Sequence, residues 1–175
     1  MIVFGHADVR MPFLWQTHDQ PPARWHGAGD GPVAYLAETP DGAWAEFLRH
    51  EEITDPADLE GVSRAIWAIE LPDAPSAAPR LPVATLTGDR SSWPDCQTAA
   101  RRLRARGEDG LAVPSAALVA ATPSGFRTAA GLRPAPPRRE RTLVLFGARP
   151  VLVGWCACAA GRPRADLLPR VRQLR

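Results

Sequence analysis

A chain of 175 residues with 45% hydrophobic side chains can bury one globular core without staples and is short for two. The formal net charge is only +2, there are three unevenly placed cysteines, and the longest apolar stretch, Val151 to Ala160, is about half a bilayer span. Together these exclude a disulfide scaffold and a membrane span. All 21 basic residues are arginine, which with abundant Ala, Pro and Gly reads as coding bias rather than chemistry.

The charge is unevenly spread. Residues 1–95 hold six Arg against fifteen acids, and residues 96–175 hold fifteen Arg against four. Either the halves neutralise each other on folding, or the second presents a basic face to a phosphate-bearing ligand or nucleic acid.

The opening Met1-Ile-Val-Phe-Gly-His-Ala-Asp lacks the charged and long apolar regions of a signal peptide, so the chain reads as cytosolic. Val33–Ala37, bounded by Gly31-Pro32 and Thr39-Pro40, predicts a strand. A helix follows, with Thr39 as N-cap, Pro40 at its first position, and Trp44, Phe47 and Leu48 on its buried face. Glu46 lies off that stripe. Ala65–Leu71 alternates and reads as a strand, and Pro72–Pro82 is a Pro/Ala-rich loop.

From Ser92 to Arg106, Cys96, Ala99, Ala100 and Leu103 mark one face of an amphipathic helix, with Arg101, Arg102, Arg104 and Arg106 opposite. Gly107 and Gly110 end it. Leu111–Val113 is a short strand entering Pro114-Ser115, and the Pro-rich stretch 131–141 reads as a linker or exposed loop. Thr142–Phe146 and Val151–Cys156 predict an antiparallel hairpin within 142–160. Residues 162–175 form a basic segment of uncertain order. Irregularly inserted helices argue for an α+β fold, one domain over 1–175. Rossmann and P-loop signatures are missing.

Four weak signals stand out. Arg24 precedes the stretch Gly27-Ala-Gly-Asp-Gly31; a guanidinium beside glycines suits a phosphate, and equally a surface turn. Tyr35 on its strand is either core packing or a ligand platform. Glu46, in an apolar helical stretch, is either solvated or held near a cation. Ser115 at a strand end can cap the next turn, and without Gly-x-Ser-x-Gly it is no hydrolase elbow.

Their order and spacing carry more than each alone. Arg24-Trp-His, then Gly-Pro-Val-Ala-Tyr-Leu-Ala, Ala43-Trp-Ala-Glu46 and finally Leu111-Ala-Val-Pro-Ser115 resemble the RES-domain family over about residues 1–120. The resemblance implies an ADP-ribosyltransferase-like fold, with a mixed, mainly antiparallel split β-sheet flanked by helices. It also implies a toxin-like enzyme that breaks the nicotinamide–ribose bond of NAD, with water, inorganic phosphate or a protein as acceptor. NAD enters as substrate, with no prosthetic group. The implied protein partner is a helix-turn-helix antitoxin, and a homodimer is compatible.

On this resemblance Glu46, Arg24 and Ser115 are the catalytic candidates, and Arg24, Tyr35, Ser115, Arg10 and His26 the candidates for binding NAD. Glu46 would meet the positive ribose, Arg24 the pyrophosphate, Tyr35 the nicotinamide or ribose, and Ser115 a ribose hydroxyl or Glu46 itself. The family usually carries another Arg at the end of its first strand, where this chain has Gly5. Arg10 is the nearest replacement, at about 16 Å of extended chain. A catalytically degenerate binding protein is the alternative.

Metal sites fare worse. His6, His18, His26 and His50 lack ligand spacing, and Cys156-Ala-Cys158 is too close for a zinc knuckle. Those two cysteines are expected to be buried and, on a strand, to share a face.

Overall fold

Strand β1 (Ile2–Asp8) is followed by β2 (Val33–Ala37), helix α1 (Pro40–His50) and β3 (Arg64–Glu70). Then come α2 (Val83–Thr87), α3 (Trp93–Ala105), β4 (Gly110–Pro114), β5 (Phe126–Thr128), β6 (Leu132–Pro134), β7 (Arg141–Phe146) and β8 (Val153–Gly161). This computed structural model describes residues 1–11, 13–14 and 19–174; His18 and Arg175 therefore lie outside the described residues. The result is an α+β domain whose six-stranded sheet runs β4-β7-β2-β1-β3-β8, antiparallel at every pairing.

Local chemistry accounts for the helices. Thr39 caps α1, its hydroxyl accepting from the Gly42 amide at 3.0 Å, with Pro40 directly inside. Phe47 and Leu48 then pack on Leu118, Leu167, Leu168 and Val171. That packing orders the C-terminal segment: a 3-10 helix at Ala165–Arg170 places its apolar side against α1. Helix α3 buries Cys96, Ala100 and Leu103 against Val33, Leu111, Val113 and Val144, each well-buried aliphatic contributing about 2 kcal/mol. Gly107, at φ +83°, ends it.

The expected hairpin between Thr142–Phe146 and Val151–Cys156 does not form. β7 pairs with β2 and β4, whereas β8 pairs with β3 at the far edge of the sheet. The burial of the two runs separates them. All of Thr142–Phe146 is buried, with Leu143 and Leu145 on one face and Val144 and Phe146 on the other, as a central strand requires. β8 is largely exposed. The stretch 131–141 is also more ordered than a linker, since β6 pairs with β5 in a small exposed hairpin.

Cys156 and Cys158 are both exposed, correcting the expectation of buried thiols. Nor do they share a face. Cys156 stands opposite Trp67 and Cys158 opposite Ile66, so the intervening residue is bulged out and the alternation is lost.

The uneven charge is partly neutralised across the halves: Glu38 pairs with Arg138 and Arg141, and Asp30 with Arg101. Arg104 also donates to the Asp30 carbonyl.

Candidate active site

The sheet splits at its centre. β1 and β2 pair only at Phe4 and Ala37; beyond that point they part, and Gly5–Asp8 face Val33–Leu36 across a cleft of about 500 Å³. Where β1 has left, the Gln20 side chain takes its place, accepting from the Val33 amide at 2.9 Å and donating to its carbonyl at 2.8 Å. α1 crosses the opening with Glu46, Arg49 and His50, and Arg24, His26, Arg64 and Trp93 complete its polar lining.

Glu46 is half-buried, and its Oε1 accepts from the Thr142 hydroxyl at 2.9 Å. Burial raises its pKa above the usual carboxylate value, against the Thr142 hydrogen bond and the charges of Arg49 and Arg24. Glu46 and Arg24 also line a smaller cavity of about 40 Å³, with Tyr35 and Thr142.

Arg24 is 8% exposed. It donates from Nη1 to the Thr85 carbonyl at 3.1 Å and to Ser92 Oγ at 2.9 Å, and from Nη2 to the Gly88 carbonyl at 2.6 Å. It thereby clamps the α2–α3 connection as well as lining the cleft. The glycine stretch beside it is no phosphate cradle, because the Asp30 carboxylate occupies the Gly27 amide at 2.7 Å. Gly29 and Gly31 serve the turn, at φ near +80°.

Tyr35 and His26 form a chain of fixed polarity. Pro21 offers only a carbonyl, so His26 Nε2 must donate to it, at 2.8 Å. In the neutral ring Nδ1 then accepts from the Tyr35 hydroxyl, at 2.9 Å, while that oxygen accepts from the Trp25 amide at 3.0 Å. Burial lowers the His26 pKa and raises that of Tyr35, which keeps both neutral. Tyr35 thus offers the cleft its ring, not its hydroxyl.

Two candidates stand elsewhere. Ser115 is buried outside the cleft lining, and its Oγ accepts from the Leu118 amide at 3.0 Å, a turn cap. The turn it fixes presents the Ala116 carbonyl to Arg49. Arg10 points to solvent with its side chain 83% exposed and pairs with Asp8 at 2.9 Å.

Arg49 was not singled out by sequence, although it lies three residues after Glu46 on the same helix and so on its face. It is buried, donates to the Ala116 and Gly88 carbonyls, and has its pKa lowered to about 10 by burial. Nor were Thr142, His6 and Arg64, which reach the site from strands distant in sequence.

The family model of the RES domain matches residues 5–153. The chain belongs to the RES-domain family. That match runs beyond residues 1–120, through β7 and its Thr142. Among curated proteins, the chain is 51% identical over 55 residues to the protein named Toxin Res from Pseudomonas putida strain KT2440. That alignment spans 31% of this chain and 36% of the relative, so about a third of each is compared. Among solved structures, the fold is similar to one in the crystal structure of the M. tuberculosis MbcT-MbcA toxin-antitoxin complex. The TM-score is 0.62 at 14% identity, over 98% of this chain and 88% of that one. No described helix is long and apolar enough to cross a membrane.

Proposed function

We propose that this RES-domain protein cleaves the nicotinamide–ribose bond of NAD, as a toxin held in check by a helix-turn-helix antitoxin. The observation that carries the reading is the Glu46 carboxyl, enclosed in a cleft that also contains the Arg24 and Arg49 guanidiniums and the ring of Tyr35. Membership of the family and the likeness to a toxin structure from a toxin-antitoxin complex support the toxin and partner assignments.

The chemistry fits such a site. When the C1′–N bond breaks, its electron pair goes to nicotinamide, which leaves neutral, and positive charge develops on the ribose. The ionised carboxylate of Glu46 stabilises that charge. An acceptor then forms a bond to C1′ and releases its proton to Glu46 or solvent. The small cavity beside Glu46 has room for a water molecule, one of the possible acceptors. Arg24 and Arg49 hold the walls at Gly88, and the Tyr35 ring is the stacking surface for nicotinamide or ribose.

The test is NAD consumption by purified protein, with and without inorganic phosphate, beside Glu46→Gln. Loss of NAD in the wild type alone, with free ADP-ribose or its phosphate ester as product, is the expected result. Label appearing on protein instead would make the enzyme a transferase. No consumption by a folded sample would leave a binding protein.

A further inference from the structure

We infer that Arg64, on β3, is the anion-binding residue of the cleft and receives the pyrophosphate of a dinucleotide substrate. The identity of that ligand rests on the NAD-cleaving reading; the anion site itself does not.

Three guanidiniums line the cleft, and they differ in how far they are satisfied. Arg24 and Arg49 both spend their Nη atoms on backbone carbonyls, sharing that of Gly88. Arg64 makes one hydrogen bond among the described residues, from Nη2 to His6 Nδ1 at 3.1 Å, and its Nε is buried without a partner. Its guanidinium lies 5.1 Å from the Phe47 ring centroid, which holds the plane in position without consuming a donor.

No carboxylate of the described residues forms an ion pair with Arg64. Two further acids of the lining are otherwise engaged. Asp8, opposite Arg64 in the β1–β3 ladder, is held by two bonds from the Arg10 side chain, and Glu51 pairs with His50. His6 is neutral, so it adds no competing cation. A half-buried, positioned guanidinium whose Nη1 has no partner among the described residues, and which no carboxylate touches, is a fork for phosphate oxygens. Arg24, to which the family resemblance assigns the pyrophosphate, has no such reserve on its Nη atoms.

The experiment measures binding of inorganic pyrophosphate and ADP-ribose by calorimetry to wild type, Arg64→Gln and, as a control on the exposed β5–β6 hairpin, Arg133→Gln. In parallel, NAD and nicotinamide riboside, which lacks phosphate, are compared as substrates. Arg64→Gln is expected to weaken pyrophosphate and ADP-ribose about tenfold. It should also raise KM for NAD about as much, with kcat held within about twofold and nicotinamide riboside unaffected. Arg133→Gln should change none of these. Equal pyrophosphate binding in wild type and Arg64→Gln overturns the proposal, as does an equal loss with nicotinamide riboside.

If no form cleaves NAD, the catalytic reading fails while the binding comparison still decides Arg64. Should Arg64→Gln not fold, Arg64→Lys keeps the charge but loses the fork and Nε. It should then bind pyrophosphate at least about threefold more weakly, and unchanged affinity overturns the proposal equally.

Discussion

The Thr142 hydroxyl donates to Glu46 Oε1 at 2.9 Å, tying β7 to α1 across 96 residues of sequence. This contact couples an interior strand of the sheet to the carboxylate of the candidate site, and it lowers a pKa that burial raises. Thr142→Val keeps the shape and removes the donor. The Glu46 pKa should climb further, moving the acid limb of the pH–rate profile for NAD cleavage to higher pH. Stability should fall by about 1 kcal/mol. An acid limb that stays in place would sever Thr142 from the chemistry.

Glu46 has its folded-state pKa raised, so the folded chain binds the proton more tightly than the unfolded one. Stability from this group is therefore present at low pH and is lost as pH rises from the ordinary 4.5 of a glutamate through the folded pKa. Glu46→Gln retains an acceptor for Thr142 and removes the buried charge. It should abolish NAD cleavage and raise Tm at pH 8, with the gain shrinking as pH falls through the folded pKa toward 4.5. Thermal melts across that range check it; a lower Tm at pH 8 would contradict the assignment of burial as the dominant effect.

His6 behaves oppositely. Burial, with the nearby Arg64 charge, lowers its pKa from 6.5 to about 3, so the unfolded chain takes up a proton first. Stability should fall as pH drops from 6.5 toward 3, by at most about 1.4 kcal/mol per pH unit from this group. His6→Gln, which can still accept from Arg64, should flatten the slope between pH 6.5 and 5 relative to wild type, the carboxylates being common to both proteins. Urea denaturation at three pH values in that window reads it directly. An unchanged slope would assign the acid sensitivity to another group, such as His26.

Ser115 is a positioning residue rather than one that meets substrate. Ser115→Ala removes the cap on the Leu118 amide and should cost about 1 kcal/mol. It should lower kcat for NAD only partly, by loosening the Ala116 carbonyl that holds Arg49. Arg49→Gln should reproduce the kinetic effect, and the double variant should add little to it. A kcat loss in Ser115→Ala as complete as in Glu46→Gln would instead put its hydroxyl in the reaction.

Tyr35→Phe keeps the ring and strands two buried partners, the Trp25 amide and His26 Nδ1. The expected cost is about 2 kcal/mol in stability, with KM for NAD within about twofold of wild type. A large KM change with little loss of stability would mean that the hydroxyl turns to the substrate.

Sequence by itself determined the local elements and some of the site. Thr39 and Pro40 start α1, and the 3.6-residue spacing of Trp44, Phe47 and Leu48 names its buried face. Cys96, Ala100 and Leu103 do the same for α3, and the order of Arg24, Tyr35, Glu46 and Ser115 marks the family. Periodicity reports which face of an element is buried, but not which element covers it. Only the tertiary structure therefore decided that β7 sits between β2 and β4 while β8 lies at the far edge, and that a bulge turns Cys156 and Cys158 to opposite faces. The same limit holds in the cleft. Arg64 turns to His6 across 58 residues, Arg24 to the Gly88 carbonyl across 64, and Thr142 to Glu46 across 96. Hydrogen-bond partners are fixed by proximity in space, and a linear sequence carries that information only where the partners are neighbours along it.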